Sequence, residues 1–218
     1  MNKIKVALLV FILVAILDVI GIILKIQALI YVFKPLILLS LLVLYVVSVR
    51  SINKWYVLAL IFSFFGDVFL IFTGEFYFII GLISFLIAHL LFIKIVINSI
   101  KKTSLSKIVL SIIPFLIVFS LLLFVLKESL GEMLIPVIIY GLTISSFGAV
   151  SLINYVGSKS AKALLMLLGS IVFIISDSVL AINKFYLEAH IFKVIIMITY
   201  VLAQYFIYKS MVLSLKDK

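Results

Sequence analysis

The sequence predicts an all-α membrane protein, a polytopic bundle of about eight transmembrane helices. Three observations point there. A mean hydropathy of +1.50, with 67% hydrophobic and 12% charged residues, leaves too little polar surface to cover a water-soluble domain. The apolar runs each approach or exceed the roughly 20 residues that carry a helix across a roughly 30 Å hydrocarbon core. The two-residue alternation of membrane β-strands is absent.

The spans follow in order. Lys3 and Lys5 precede the first, 5–23, in the manner of a signal peptide, but the run meets Asp18 with no small-residue cleavage site and reads as an uncleaved helix. The second, 29–49, carries Lys34-Pro35 near its start and closes at Arg50; the third, 55–73, starts at the interfacial anchor Trp55 and contains Asp67. The fourth, 76–98, follows Glu75 and holds His89 near its middle. The fifth, 107–126, lies between Lys107 and Lys127, and the sixth, 133–153, follows Glu132. The seventh, 162–183, runs from Lys162 to Lys184 around Asp177, and the eighth, 190–210, runs from His190 past Lys209. These spans nearly exhaust the chain, so residues 1–218 are expected to form a single integral membrane domain. The prolines, Pro35, Pro114 and Pro136, fall towards helix ends in this reading.

Charge then sets the topology. With the N-terminus in the cytoplasm, one side receives Lys3, Lys5, Arg50, Lys54, Lys101, Lys102, Lys107, Lys159, Lys162, Lys209, Lys216 and Lys218. The other receives Glu75, Glu128, Glu132 and Glu188, with Lys25, Lys34, Lys127, Lys184 and Lys193 at or near it. The positive-inside rule puts both termini in the cytoplasm. The net charge of +10 is spread singly between apolar runs, so it reports topology and not a nucleic-acid partner. The sequence has no cysteine, which excludes disulfides, thiolate metal sites and cysteine nucleophiles. There is no Gly-rich phosphate loop and no His-Glu-x-x-His.

The polar residues inside the spans carry the functional reading, because a carboxylate in hydrocarbon must be protonated, paired or facing water. Asp67 and Asp177 lie at one depth, about 10 Å below the outer boundary at 1.5 Å per residue. Their surroundings echo each other, Gly66-Asp67-Val68-Phe69-Leu70 against Ser176-Asp177-Ser178-Val179-Leu180, as a parallel duplication with halves 1–106 and 107–218 would produce. The bland alternative is that each Asp bonds a neighbouring helix through a Ser, Tyr or Lys. His89 suits a proton carrier or a partner of an Asp, or a packing element. Ser170, Asp177 and Lys184 line one face of the seventh span, and Lys193, Met197, Tyr200, Gln204 and Tyr208 line the eighth. Lys34, Lys184 and Lys193 approach the outer boundary as an anionic headgroup would require, with snorkelling as the alternative. Asp18 reads either as a site member or as a helix-end residue paired with a lysine.

These residues resemble the YhhN family, the membrane lysoplasmalogenases. The most specific pieces are Ser63-Phe64-Phe65-Gly66-Asp67-Val68-Phe69-Leu70, Ala88-His89-Leu90, Ser176 to Phe185, and Tyr200 with Ala203-Gln204; Lys34-Pro35 is also similar. Phe92 stands where relatives often carry Tyr. The resemblance implies an eight-helix enzyme that hydrolyses the vinyl ether of lysoplasmalogens to a fatty aldehyde and glycerophospho-ethanolamine or -choline.

Vinyl ether hydrolysis needs an acid able to protonate carbon and negative charge beside the resulting cation, the division of labour of two carboxylates in glycoside hydrolysis. The expectation is an Asp67/Asp177 pair sharing a proton, with His89 and Tyr200 as orienting or relay groups. Asn183 and Gln204 are further substrate contacts, and Lys34 and Lys184 phosphate contacts. No cofactor is expected, the alternative being a Mg²⁺ or Zn²⁺ held by the two Asp and the His. The partners are a lysophospholipid and the bilayer, in a bacterial cytoplasmic membrane, with oligomeric state left open. The competing readings are a proton-coupled transporter, since paired acids and a mid-membrane His also describe a relay, and a non-catalytic lipid-binding protein.

Overall fold

A computed structural model of the protein describes residues 3–100 and 103–216. Lys101, Lys102 and Lys218, counted above among the inner charges, lie outside the described residues. The helices are α1 (Lys3–Ile23), α2 (Gln27–Ser48), α3 (Lys54–Phe69), α4 (Glu75–Ile97), α5 (Leu105–Leu126), α6 (Leu134–Ser158), α7 (Ala161–Phe185) and α8 (His190–Lys216), with a 3₁₀ turn at Gly131–Met133 before α6. No strand occurs among the described residues. The all-α membrane architecture is therefore as the sequence predicts, and seven of these helices are long and apolar enough to cross a bilayer.

The exception is α3. Its 16 residues rise about 24 Å, short of a roughly 30 Å core. Its start is well fixed, since Asn53 Oδ1 accepts from the backbone N–H of Trp55 and Tyr56 at 3.0 and 3.3 Å, an N-cap. Its end comes earlier than the 73 expected from hydropathy: Ile71 N donates to Val68 O and Phe72 N to Phe69 O, tight i to i+3 turns that close the helix. Leu70, Ile71 and Phe72 are as apolar as a spanning helix, but apolarity reports the solvent a segment prefers and not its backbone.

The prolines also depart from expectation. Pro136 lies in the first turn of α6, where its missing N–H costs nothing, but Pro35 is inside α2 and Pro114 is near the middle of α5. Neighbouring groups in a membrane protein tolerate such interruptions.

The described residues fall into two compact units, one within Met1–Ala88 and Met211–Lys218, the other within His89–Ser210. In the first, α1 and α2 form an antiparallel hairpin, and α2 packs on α3 through Tyr45 and Tyr56, whose rings meet edge-on with centroids 4.6 Å apart. The Tyr45 hydroxyl accepts from Asn53 N at 3.0 Å, tying the end of α2 to the cap of α3. Ile37, Leu38, Leu41, Leu44 and Leu60 fill the interior of this unit.

In the second unit, α6 packs against both α5 and α7. Ser176 Oγ donates to Ile196 O at 2.9 Å and Ser210 Oγ to Lys162 O at 2.7 Å, pinning α7 and α8 near both ends. Buried hydroxyls bonding a carbonyl across helices hold register where no hydrophobic effect acts. At Gly148 of α6 a Cβ would lie 2.4 Å from the Phe115 ring of α5 and 2.8 Å from Ile174 Cδ1 of α7. Gly148→Ala is therefore expected to destabilise the protein by about 1–3 kcal/mol through overpacking, read as a lowered Tm in detergent.

Candidate functional site

The second unit gathers polar and aromatic side chains from α4, α6, α7 and α8. Asp177, on α7, is half-buried, and the Tyr140 hydroxyl of α6 donates a hydrogen bond to its Oδ2. Such a bond to a carboxyl group becomes about twice as strong when that group ionises. Phe173 lies one turn before Asp177 and so shares its face of α7.

His89, on the part of α4 that belongs to this unit, is fully buried among aromatic rings. Its ring stands edge-on to Phe173 with centroids 4.6 Å apart, and edge-on to Tyr140 at 5.6 Å. Phe92, Phe147 and His89 pack together, the two phenyl rings stacked at 5.5 Å. Phe173 then meets Tyr200 of α8 edge-on at 5.4 Å, and Gln204 Nε2, one turn on, donates to the Tyr200 hydroxyl at 3.5 Å. Gln204 is fully buried, and its Oε1 has no hydrogen-bond partner among the described residues.

Asp177, Tyr140, His89, Phe173, Tyr200 and Gln204 thus form one continuous series of contacts. Four of them, Asp177, His89, Tyr200 and Gln204, are residues the sequence singled out. Tyr140 is not among those; the signal available was a tyrosine well inside a span, away from the interfacial belt where tyrosines usually sit. Phe92 contributes packing against His89 and Phe147.

Two further expected residues lie at the C-terminal end of α7, outside this series. Asn183 Oδ1 accepts from Ala189 N at 3.0 Å, closing the α7–α8 turn. Lys184 is exposed. Lys193 pairs with Glu188 at 2.9 Å, which holds the Glu188 carboxyl below the usual carboxylate range. Lys184 also lies within electrostatic reach of the Glu188 carboxylate.

The first unit holds the other expected residues. Asp67, 3% exposed, lies on the buried face of α3 with Tyr56, Ala59 and Ser63, so the polar groups of this helix point into the unit and not towards lipid. Lys34 is half-buried on α2, and Asp18 is fully buried on α1. Burial places Asp18 inside the unit, apart from any helix-end role. Among the described residues no group of three His, Asp or Glu side chains converges as a metal site.

The profile of the YhhN family matches residues 29–211 of the chain. No curated protein and no solved structure matches it.

Proposed function

Because the chain belongs to the YhhN family, we propose that it is an intramembrane hydrolase that cleaves the vinyl ether bond of lysoplasmalogens. One water is consumed, and a fatty aldehyde and glycerophospho-ethanolamine or -choline are released. The observation that carries the reading to particular atoms is the hydrogen bond from Tyr140 to Asp177 in an aromatic-walled, half-buried setting.

In the proposed reaction the Asp177 carboxyl gives its proton to the β-carbon of the vinyl ether. The π electrons form the new C–H bond, and the ether oxygen shares the resulting positive charge as an oxocarbenium ion. Tyr140 donates to the carboxylate that this step creates, which favours proton release by a group that would otherwise be left charged in an apolar site. The carboxylate and the neighbouring ring faces stabilise the cation until water adds to the carbon that bears oxygen. The water's surplus proton returns to the Asp177 carboxylate, and as the hemiacetal breaks its bond to glycerol oxygen its hydroxyl proton passes to that oxygen, so aldehyde and alcohol separate. His89 and Tyr200 hold the rings that shape the site and supply nitrogen and hydroxyl groups for the proton traffic.

The sequence assigns Asp67 to the same chemistry, and its replacement by Asn tests that assignment. Lys184 lies about 10 Å along α7 from Asp177, so glycerol and phosphate extend from the reacting bond towards the ammonium. The distribution of lysine supports a topology with both termini in the cytoplasm and the substrate entering from the outer half of a bacterial cytoplasmic membrane.

Purified protein given three lysolipids of one chain length, with a vinyl ether, a saturated ether or an ester at the same position, is the test. Aldehyde is expected from the vinyl ether alone. Release of fatty acid from the ester, or turnover of none of the three by folded protein, would count against the proposal.

A second reading, a proton-coupled carrier, would use Asp177 and the buried His89 as a relay, although α2 and α5 run unbroken through Pro35 and Pro114 and so are not discontinuous transport segments. It calls for lipid-dependent proton flux in liposomes, and under the hydrolase reading no such flux is expected.

A further inference from the structure

A carboxyl group buried in an apolar hairpin needs hydrogen-bond donors or an opposite charge. Asp18 is 0% exposed, on the buried face of α1 with Val14, Ala15 and Ile22, and neither of its carboxyl oxygens has a hydrogen-bond partner among the described residues. The register of the hairpin says what faces it. α1 and α2 approach closely at Gly21, where a Cβ would lie 2.7 Å from Leu29 Cβ and 3.3 Å from Ile30 N. The two helices are antiparallel, so one turn back along α1, at Asp18, comes opposite one turn on along α2, at Lys34. Lys34 is within electrostatic reach of Asp18 and is half-buried, while Lys25, in the connecting turn, is exposed.

We propose that Asp18 is a positioning residue that holds the Lys34 ammonium as a receptor for the phosphate of a lysophospholipid, a role that rests on the lipid-substrate reading above. A lysine near the edge of the hydrocarbon otherwise snorkels to water, and its long side chain has many rotamers to choose from. A fully buried carboxylate behind a half-buried lysine orders the two from the interior outwards. The ammonium makes no hydrogen bond to the carboxylate, which acts on it through charge and leaves its three donors to the phosphate. Without Asp18 the charge loses both its counter-ion and its fixed position.

The test is binding, by native mass spectrometry, of saturated lysophosphatidylethanolamine and of a monoacylglycerol with the same chain. Wild type is expected to bind the phospholipid more tightly, and Lys34→Gln to reduce that preference by more than about tenfold, with Lys184 supplying what remains. Asp18→Asn should weaken phospholipid binding about tenfold, an ordinary coupling, with monoacylglycerol binding unchanged. Asp18→Glu, which keeps the charge but moves it, should fall between the two. Wild type that does not prefer the phospholipid overturns the proposal, as does a folded Asp18→Asn with full preference. Should Asp18→Asn fail to fold, Asp18→Glu decides alone: a reduced preference supports the role, and one equal to wild type overturns it. Neither ligand contains a vinyl ether, so these results stand apart from hydrolysis. Intact phosphate preference without aldehyde release would count against the hydrolase reading alone.

Discussion

Asp177→Asn is expected to lower aldehyde release about 10³-fold while leaving a folded protein. The amide keeps the size and shape of the side chain but has no proton acidic enough to protonate carbon, so the first and slowest step of the reaction loses its acid. Tyr140 can still donate to the amide oxygen, which is why the fold should survive: the bond between α6 and α7 is kept and only its charge is lost. The check is kcat for a lysoplasmenyl substrate beside a thermal melt of the same preparation. A variant that melts like wild type and turns over at the wild-type rate would remove Asp177 from the chemistry and leave it as a link between two helices, the bland reading of an intramembrane Asp.

Tyr140→Phe separates those two roles from the other side. Loss of the hydroxyl removes the Tyr140 donor from the Asp177 carboxylate at the moment it forms, and kcat is expected to fall about 10²-fold, the usual cost of removing one donor from a site of developing charge. The ring remains, so its edge contact with His89 and the packing of α6 should be retained. Stability should change by only about 1 kcal/mol, the net worth of a hydrogen bond. If the melt collapses while the residual activity per folded molecule is unchanged, Tyr140 is structural. If kcat falls and the melt does not, the hydroxyl belongs to the reaction.

The helices were legible in the sequence because two signals agree at most of their ends: hydropathy marks the hydrocarbon and lysine or glutamate marks its edge. Where only one signal was present the reading slipped. The run Leu70–Phe72 has no charge to end it, and α3 stops there through backbone turns that hydropathy does not register. The reading of 153 as the end of the sixth span fell short of Ser158 for the opposite reason, since Asn154 and Tyr155 are polar enough to leave the hydrocarbon without leaving the helix.

The site was legible in proportion to polarity. Asp177, His89, Tyr200 and Gln204 stand out in an apolar chain because each must be accommodated at a cost, and the second unit brings all four into one series of contacts. The groups that join them did not stand out. Phe173 and Phe147 are two of 19 phenylalanines, and nothing in composition distinguishes a ring packed on His89 from one facing lipid such as Phe124. Lys193 stood in the sequence as a headgroup contact or a snorkelling lysine, and its pairing with Glu188 was not legible because it depends on how the α7–α8 turn folds. Asp18 could be read either way from the sequence, as hydropathy gives depth but not the side of the helix; its complete burial assigns it to the interior of the hairpin.

The measurement that goes most directly to the central claim is aldehyde release from lysoplasmenyl-ethanolamine by the purified protein in D₂O, with the product trapped as it forms. Protonation of the β-carbon predicts one deuteron on the carbon next to the aldehyde, with glycerophosphoethanolamine formed in equal amount. No aldehyde from folded protein, or aldehyde without that deuteron, would contradict the account.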